Sequence, residues 1–510
     1  MTRRTRGFVL VALGLAAVLS ISLWLGASDS TPVTESEQEV EARVRAACSA
    51  CHPFPPPDIL PRFMWRNIVD IHDDLKKSVR PRSFSMGFSV DEVVGWYESR
   101  APERLPIVYT LSRRRPGPLH FSKRLVDLGA QSGPTVATVR RLDPGIVPDA
   151  QWVLAASNML NGSIHLLVPP QNAQRIGAGE HPARVASGDL DGDGLADLVI
   201  SDLGNPMPTE DLVGRVLVAR NAGDGSFALE TVLDRVGRVT DARPVDLDGD
   251  GDLDIAVAAF GNLRNGGIYI LHNQTPASGP LDFRVEKISH RPGAVSLVPV
   301  EALDVGPGRG FAVAFAQQYE LVSLFLETGG RYEEHVVYRG PHPNWGMSNL
   351  TAMDFDGDAD VDFLLAHGDT LDDGLPFKFY QGVEWLENRG NAQFVAHRVG
   401  TLYGANSAEA VDLDGDGDLD VVASGYLPQV NLSVSAKQMR LDSLVWFERT
   451  DGDFIPWSIE LNHPLHTGVT VVDFNRDGRP DIVAAINSDW NLEEPLQGPS
   501  LEVFVNEGPR

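Results

Sequence analysis

From residue 119 onward, short apolar runs recur, each behind a polar turn: LVIS at 198–201, IAVAA at 255–259, FLLA at 363–366, VVAS at 421–424 and IVAA at 482–485. Runs of four or five apolar residues bounded by Gly and Asp predict buried strands rather than helices. The turn ahead of each keeps one form: DLDGDGLAD at 189–197, DLDGDGDLD at 246–254, DFDGDADVD at 354–362, DLDGDGDLD at 412–420 and DFNRDGRPD at 473–481. With the degenerate copy at Asp304, the first aspartates stand 50 to 61 residues apart; a second degenerate copy surrounds Asp143. A second pattern tracks the first, in LVARNAGDGSF at 217–227, FLETGGRYEEH at 325–335, VEWLENRGNAQF at 383–394 and VWFERTDGDF at 445–454. It reads as a strand, a turn built on Asn or Gly, and a strand opening on an aromatic residue. Each unit is then four short antiparallel strands, and seven units predict a mainly β fold, a seven-bladed β-propeller over 119–510.

The ends of the array sharpen this expectation. The last unit stops at LEVFVNEGPR without an outer strand, and an orphan strand in PLHFSKRLVDLG at 118–129 precedes the first unit. Pairing Phe121–Val126 with Leu501–Asn506 would complete the seventh blade and leave no open edge.

Composition adds a boundary. A chain of 510 residues is too long for one ordinary core, and 49 Gly and 35 Pro suit turns and short strands. The net charge of −27 excludes nucleic acid as a partner, because nothing basic would neutralise phosphates. Close to a third of the 70 acidic residues lie in the five turns above.

These units resemble FG-GAP/VCBS repeats such as those of the integrin alpha-subunit propeller, and the resemblance rests on the D-x-D-x-D-G-x-x-D turns. It implies that each turn joins the first and second strands of a blade and binds calcium on one face. The chemistry agrees: hard oxygen donors on a tight turn suit calcium, as in the first part of an EF-hand loop. Positions 1, 3, 5 and 9 offer side-chain oxygens and position 7 a backbone carbonyl. The first loop offers Asp189, Asp191, Asp193, Leu195 and Asp197, and the second Asp246, Asp248, Asp250, Asp252 and Asp254. The third offers Asp354, Asp356, Asp358, Asp360 and Asp362, and the fourth Asp412, Asp414, Asp416, Asp418 and Asp420. The fifth offers Asp473, Asn475, Asp477, Arg479 and Asp481. About five calcium ions are expected. Position 6, where the turn is sharpest, is Gly in four loops but Ala359 in the third, which predicts a weaker site there.

Residues 1–30 predict an export signal. Arg3, Arg4 and Arg6 precede an uncharged stretch from Phe8 to Ala27, about long enough to span a bilayer. This reads as an uncleaved signal anchor holding the protein on the periplasmic side of a bacterial inner membrane; a cleaved signal peptide, giving a secreted protein, is the alternative.

The two cysteines of the chain, Cys48 and Cys51, stand in AACSACHPF directly before His52. A disulfide over this spacing would stabilise little, and a zinc site has no second cysteine pair to complete it. C-x-x-C-H is the attachment signature of a c-type haem, with His52 on the iron. Residues 31–110 read as a haem domain that over about Glu39–Pro106 resembles a small class I cytochrome c, with Ser89 and Glu92 as a capping box opening a closing helix whose apolar stripe is Val90, Val93, Val94 and Tyr97. The resemblance implies a methionine ligand just before that helix, a place held by Met86; His72 is the alternative, Met64 a weaker one, and an open iron the remaining possibility. The short linker Ser112–Leu119 would hold the haem beside the seventh or first blade.

Function is expected on the face opposite the acidic loops. The loops entering first strands there carry His181, Trp345, Asn349, Tyr403, Asn406 and His466, and longer loops span 424–443 and 486–500. The first reading is an anchored electron-transfer protein whose propeller docks a redox partner, a small molecule or a glycan. A periplasmic oxidoreductase whose haem accepts electrons from a substrate, and a surface adhesion or scaffold module, are the other two. No catalytic group can be named.

Overall fold

A computed structural model of the chain describes residues 36–49, 52–71, 89–108, 117–129, 135–142, 144–147, 150–168, 173–276, 279–300, 309–370, 375, 377–428, 440–488 and 498–510. The stretch Phe8–Ala27, Cys51, His72, Met86, Asp143 and Asp304 lie outside these residues. The backbone divides into two compact units, Met1–Ala47 and Cys48–Arg510. A helix over Glu37–Cys48 is the described part of the first and reaches the start of the second. No described helix is long and apolar enough to cross a membrane.

Residues from 119 onward form seven four-stranded antiparallel sheets arranged as a β-propeller. Blade I is β2 (Val136–Leu142), β3 (Val153–Asn158), β4 (Ser163–Leu167) and β5 (Gln174–Ala178); blade II is β6 (Pro182–Gly188), β7 (Asp197–Asp202), β8 (Gly214–Asn221) and β9 (Phe227–Val236). Blade III is β10 (Val239–Val245), β11 (Asp254–Ala259), β12 (Gly267–Asn273) and β13 (Phe283–Ser289); blade IV is β14 (Ala294–Val300), β15 (Gly310–Phe315), β16 (Leu321–Glu327) and β17 (Tyr332–Arg339). Blade V is β18 (Met347–Met353), β19 (Asp362–His367), β20 (Gly382–Asn388) and β21 (Phe394–Thr401); blade VI is β22 (Ala405–Val411), β23 (Asp420–Gly425), β24 (Asp442–Thr450) and β25 (Asp453–Leu461). Blade VII takes β26 (His466–Val472), β27 (Asp481–Ile486) and β28 (Leu501–Pro509) from the C-terminus and β1 (Leu119–Val126) from the start of the array.

The closing seam has the register expected from the sequence: Phe121 pairs with Asn506 and Val126 with Leu501. First strands contact one another in order around the ring, and β26 returns to β2. The apolar runs explain the packing, because second strands such as β11, β19 and β23 are buried along their whole length. Their side chains interleave between blades: Val139 and Leu154 of blade I share a core with Val483 and Val503 of blade VII.

Each first strand carries a register irregularity near its start, as between Val136 and Thr138 or between Met347 and Asn349. Such irregularities re-aim side chains. Hydroxyls at this position donate to the next blade: Thr138 to Ala183 O at 2.9 Å, Thr240 to Ala294 O at 2.7 Å, Ser348 to Ala405 O at 2.9 Å and Thr467 to Val136 O at 2.7 Å. The last of these closes the ring a second time.

Ahead of the propeller, the helix Val90–Glu98 opens with the expected capping box: Ser89 Oγ accepts from Glu92 N at 3.3 Å, and Ser89 N donates to Glu92 Oε2 at 2.6 Å. Val93, Val94, Trp96 and Tyr97 are buried. Trp65 stacks on Tyr97 with ring centroids 3.8 Å apart, and Phe54 lies against Trp96 and Tyr97. Val90, expected in the apolar stripe, is only half-buried; Trp96 takes that share of the core.

Candidate functional site

The five acidic loops all connect a first strand to a second, so they share one face of the ring. Their local geometry follows from carboxylates meeting unpaired backbone donors on a tight turn. In the first four loops the position-1 aspartate accepts from the N–H of position 4, as Asp189 does from Gly192 at 2.8 Å and Asp412 from Gly415 at 2.8 Å. In the first, third, fourth and fifth loops the other oxygen of that aspartate accepts from position 6: Gly194 at 2.9 Å, Ala359 at 3.0 Å, Gly417 at 3.2 Å and Gly478 at 2.9 Å. The position-5 side chain accepts from position 7, as Asp193 does from Leu195 and Asp250 from Asp252. Carboxylate oxygens converge: those of Asp189, Asp191 and Asp197 lie within 4.8 Å of one another, as do those of Asp246, Asp248 and Asp250 and those of Asp354, Asp356 and Asp358.

Position 9 differs from the rest. Asp197, Asp254, Asp362, Asp420 and Asp481 open the second strands and are buried. Oδ1 of each accepts a backbone N–H from the end of the third strand: Asn221, Asn273, Asn388, Arg449 and Asn506, at 2.7–2.9 Å. Burial outweighs these bonds and pushes the carboxyls up, to about 6 for Asp197, Asp254 and Asp362 and to about 7 for Asp420; Asp481 moves the same way. Buried carboxylates beside further carboxylates stay ionised only where positive charge offsets them, and otherwise take up a proton.

The loops are not equivalent. Position 6 requires a left-handed backbone, and Ala359 adopts it with φ 72° where the other loops use Gly. In the fifth loop position 4 is Arg476, also left-handed at φ 62°, and Arg479 turns its guanidinium back onto Asp477. Asn475 Nδ2 donates to Asp477 Oδ2 at 2.9 Å, so this loop partly neutralises itself. Arg309, from the degenerate unit, pairs with Asp246 of the second loop.

The residue that binds position 9 through its backbone also donates a side-chain bond across the blade boundary in several blades. Asn273 Nδ2 reaches Leu190 O at 2.9 Å, Arg449 Nη1 reaches Phe355 O at 3.0 Å, and Asn506 Nδ2 reaches Leu413 O at 3.1 Å. Each acceptor is position 2 of the preceding blade's acidic loop. Trp152 of blade I donates to Asp473 O at 2.9 Å and carries the pattern over the seam. The recurrent Asn in LVARN, VEWLEN and LEVFVN was the available signal.

On the opposite face, the residues singled out in the entering loops are packed inward. Trp345, Asn349, Tyr403 and His466 are buried, and His181 and Asn406 are half-buried. Asn406 Nδ2 donates to Thr467 O at 2.6 Å, and His181 Nδ1 lies 2.8 Å from Met159 O. Trp345 stacks on His367 at 4.2 Å and on Tyr380 at 5.7 Å. Burial holds His342 down to about 3 and His367 well below the ordinary histidine range.

The segment containing Cys48 and His52 meets this face. Val108 N donates to Tyr403 Oη at 2.7 Å, and Tyr380 Oη lies 3.5 Å from Ile59 O. These contacts fall on blades VI and V, one and two blades away from blade VII, whereas the linker length leads to a place beside blade VII or I. Tyr403, in the loop entering blade VI, supplies the bond that holds the segment there. Cys48 is half-buried at the end of its helix, and His52 Nδ1 lies 2.8 Å from Pro53 O. Met64 is buried in the short helical turn Arg62–Met64.

Residues 189–257 match the FG-GAP-like repeat family. No curated protein matches the chain. Among solved structures, the crystal structure of BBS1N in complex with ARL6DN, soaked with mercury, is similar over 76% of this chain and 96% of that one, at 11% identity and a TM-score of 0.43. The chain thus carries an FG-GAP-like repeat within a seven-bladed β-propeller, a module suited to docking a protein or ligand partner.

Proposed function

We propose that this is an exported c-type haem protein for electron transfer, in which a calcium-bound FG-GAP-type propeller docks the redox partner. Cys48 and Cys51 would hold the haem through thioethers and His52 would ligate the iron; when bound, the group supplies one-electron exchange. The observation that carries the reading is the hydrogen bond of His52. Donation from Nδ1 to Pro53 O orients the ring, as the outer hydrogen bond of a ligating histidine does. Phe54, two residues on, is anchored against Trp96 and Tyr97. Among the described residues Trp96 Nε1 is buried without a hydrogen-bond partner, a donor that an acidic group of a bound cofactor would satisfy. Met86 or His72 would supply the sixth ligand.

Calcium is proposed for the five loops from the convergent carboxylates and the buried position-9 aspartates. Ile59 and Val108, further along the same segment, meet the face away from those loops, which leaves the metal to hold the scaffold and the other face to meet partners. Membrane attachment through Phe8–Ala27 and a periplasmic location are part of the same proposal. A reduced-minus-oxidised difference spectrum of the exported protein tests it: haem bands that respond to reductant are expected, and a redox-silent spectrum would overturn it.

A further inference from the structure

A second cluster of metal-binding side chains lies outside the acidic loops and outside the Cys48–His52 segment. Glu460 near the end of β25, His463 in the connection that follows, His466 opening β26 and Glu502 in β28 each offer one donor atom, and the four lie within 4.8 Å of one another. Lys123 of β1 takes Oε1 of both carboxylates, at 2.5 Å from Glu460 and 2.7 Å from Glu502. Both Oε2 atoms then face the imidazoles. Glu460 Oε2 is 2.6 Å from His466 Nε2 and 3.7 Å from His463 Nδ1, and Glu502 Oε2 is 3.6 Å from each histidine.

Two of the donor atoms meet the rest of the cluster only at ion-pair rather than hydrogen-bond distance. Glu502 is 3% exposed, and its Oε2 has no hydrogen-bond partner among the described residues; the same holds for His463 Nδ1. His466 is wholly buried, with Nδ1 3.3 Å from Ala485 O. If Nδ1 donates there and the ring is neutral, Nε2 presents a lone pair to Glu460 Oε2, and the 2.6 Å contact then needs either a second ring proton or a metal cation between the two acceptors. A cavity of about 460 Å³ opens on Lys123, His463 and Glu502 and gives an ion a route from solvent.

We infer that Glu460, His463, His466 and Glu502 form a four-ligand site for a divalent transition metal of the zinc class. Two imidazoles exclude the all-oxygen preference of calcium and suit a borderline-soft ion. A tetrahedral site with bonds of about 2.0–2.1 Å sets its donors about 3.3 Å apart. Three of the four contacts, at 3.6–3.7 Å, are near that spacing, and the 2.6 Å contact opens to reach it. The ion would join blade VI, through Glu460, to the first and third strands of blade VII. It would sit beside Lys123 of the closing strand, clasping the seam where the chain's two ends meet.

The test uses the full, calcium-saturated protein with zinc chloride as the probe, measuring bound zinc after dialysis and its coordination by zinc X-ray absorption. Wild type is expected to hold one zinc more than Glu502→Gln or His463→Gln, with two imidazoles in the first coordination sphere. Each variant should weaken zinc binding at least tenfold while the zinc-free melt stays cooperative. Should one variant fail to fold, the other and the absorption spectrum of wild type still decide. Equal zinc content in wild type and folded variants, or a coordination sphere without histidine, would overturn the inference and leave the cluster an ion-pair network.

Discussion

Asn506 Nδ2 lies 3.1 Å from the carbonyl of Leu413, across the boundary between blades VII and VI. The backbone N–H of the same asparagine binds Asp481 at 2.7 Å. One residue thereby couples the acidic loop of its own blade to that of its neighbour.

Replacing Asn506 with Ala removes the cross-blade donor and leaves Leu413 O buried without it. A loss of about 1–3 kcal/mol is expected, the cost of a buried polar group left unpaired. Denaturant unfolding measures it, and an unchanged midpoint would mean that the bond contributes nothing.

Calcium should stabilise the propeller. An ion at one hundred times its dissociation constant adds about 2.7 kcal/mol per independent site. Chelation should therefore lower the melting temperature, and Ala359→Gly should raise it by relieving a left-handed alanine worth about 1 kcal/mol. A chelated sample that melts where the calcium-loaded one does would refute the proposal.

Removing residues 119–126 takes away β1 and exposes the outer edge of β28. The truncated protein should oligomerise or lose its cooperative melt, because an open sheet edge invites pairing. Light scattering and calorimetry read both outcomes; a stable monomer would show that the seam is dispensable.

Acid should weaken the calcium-saturated protein. His342 is held down to about 3, below the ordinary histidine value near 6.5, so the unfolded chain takes up its proton first as pH falls. The stability from keeping it neutral is full above about 6.5 and declines by about 1.4 kcal/mol per pH unit below that. His367 acts in the same direction. Melts at several pH values should slope downward below 6.5, and His342→Gln should flatten the slope.

Much of this architecture was legible in the sequence because it repeats. The buried second strands announce themselves as IAVAA or VVAS, and the missing outer strand at one end matched the orphan at the other. The capping box at Ser89 was equally plain, since its chemistry lies within four residues. What escaped depends on residues distant in sequence. The Asn506–Leu413 bond joins positions 93 apart, and the Glu460–His466–Glu502 cluster assembles only when three strands of two blades meet. The sequence places His466 in an entering loop but does not say that it is wholly buried beside two carboxylates.

The most direct measurement of the account is whether the haem is covalent. The protein is to be produced with a cytochrome c maturation system, denatured and extracted with acid acetone. Haem absorbance is expected to stay with the polypeptide in wild type and to be lost when Cys48 and Cys51 are both replaced by Ser. Haem that leaves the wild-type chain with the solvent, or a wild-type chain that carries none, would contradict it.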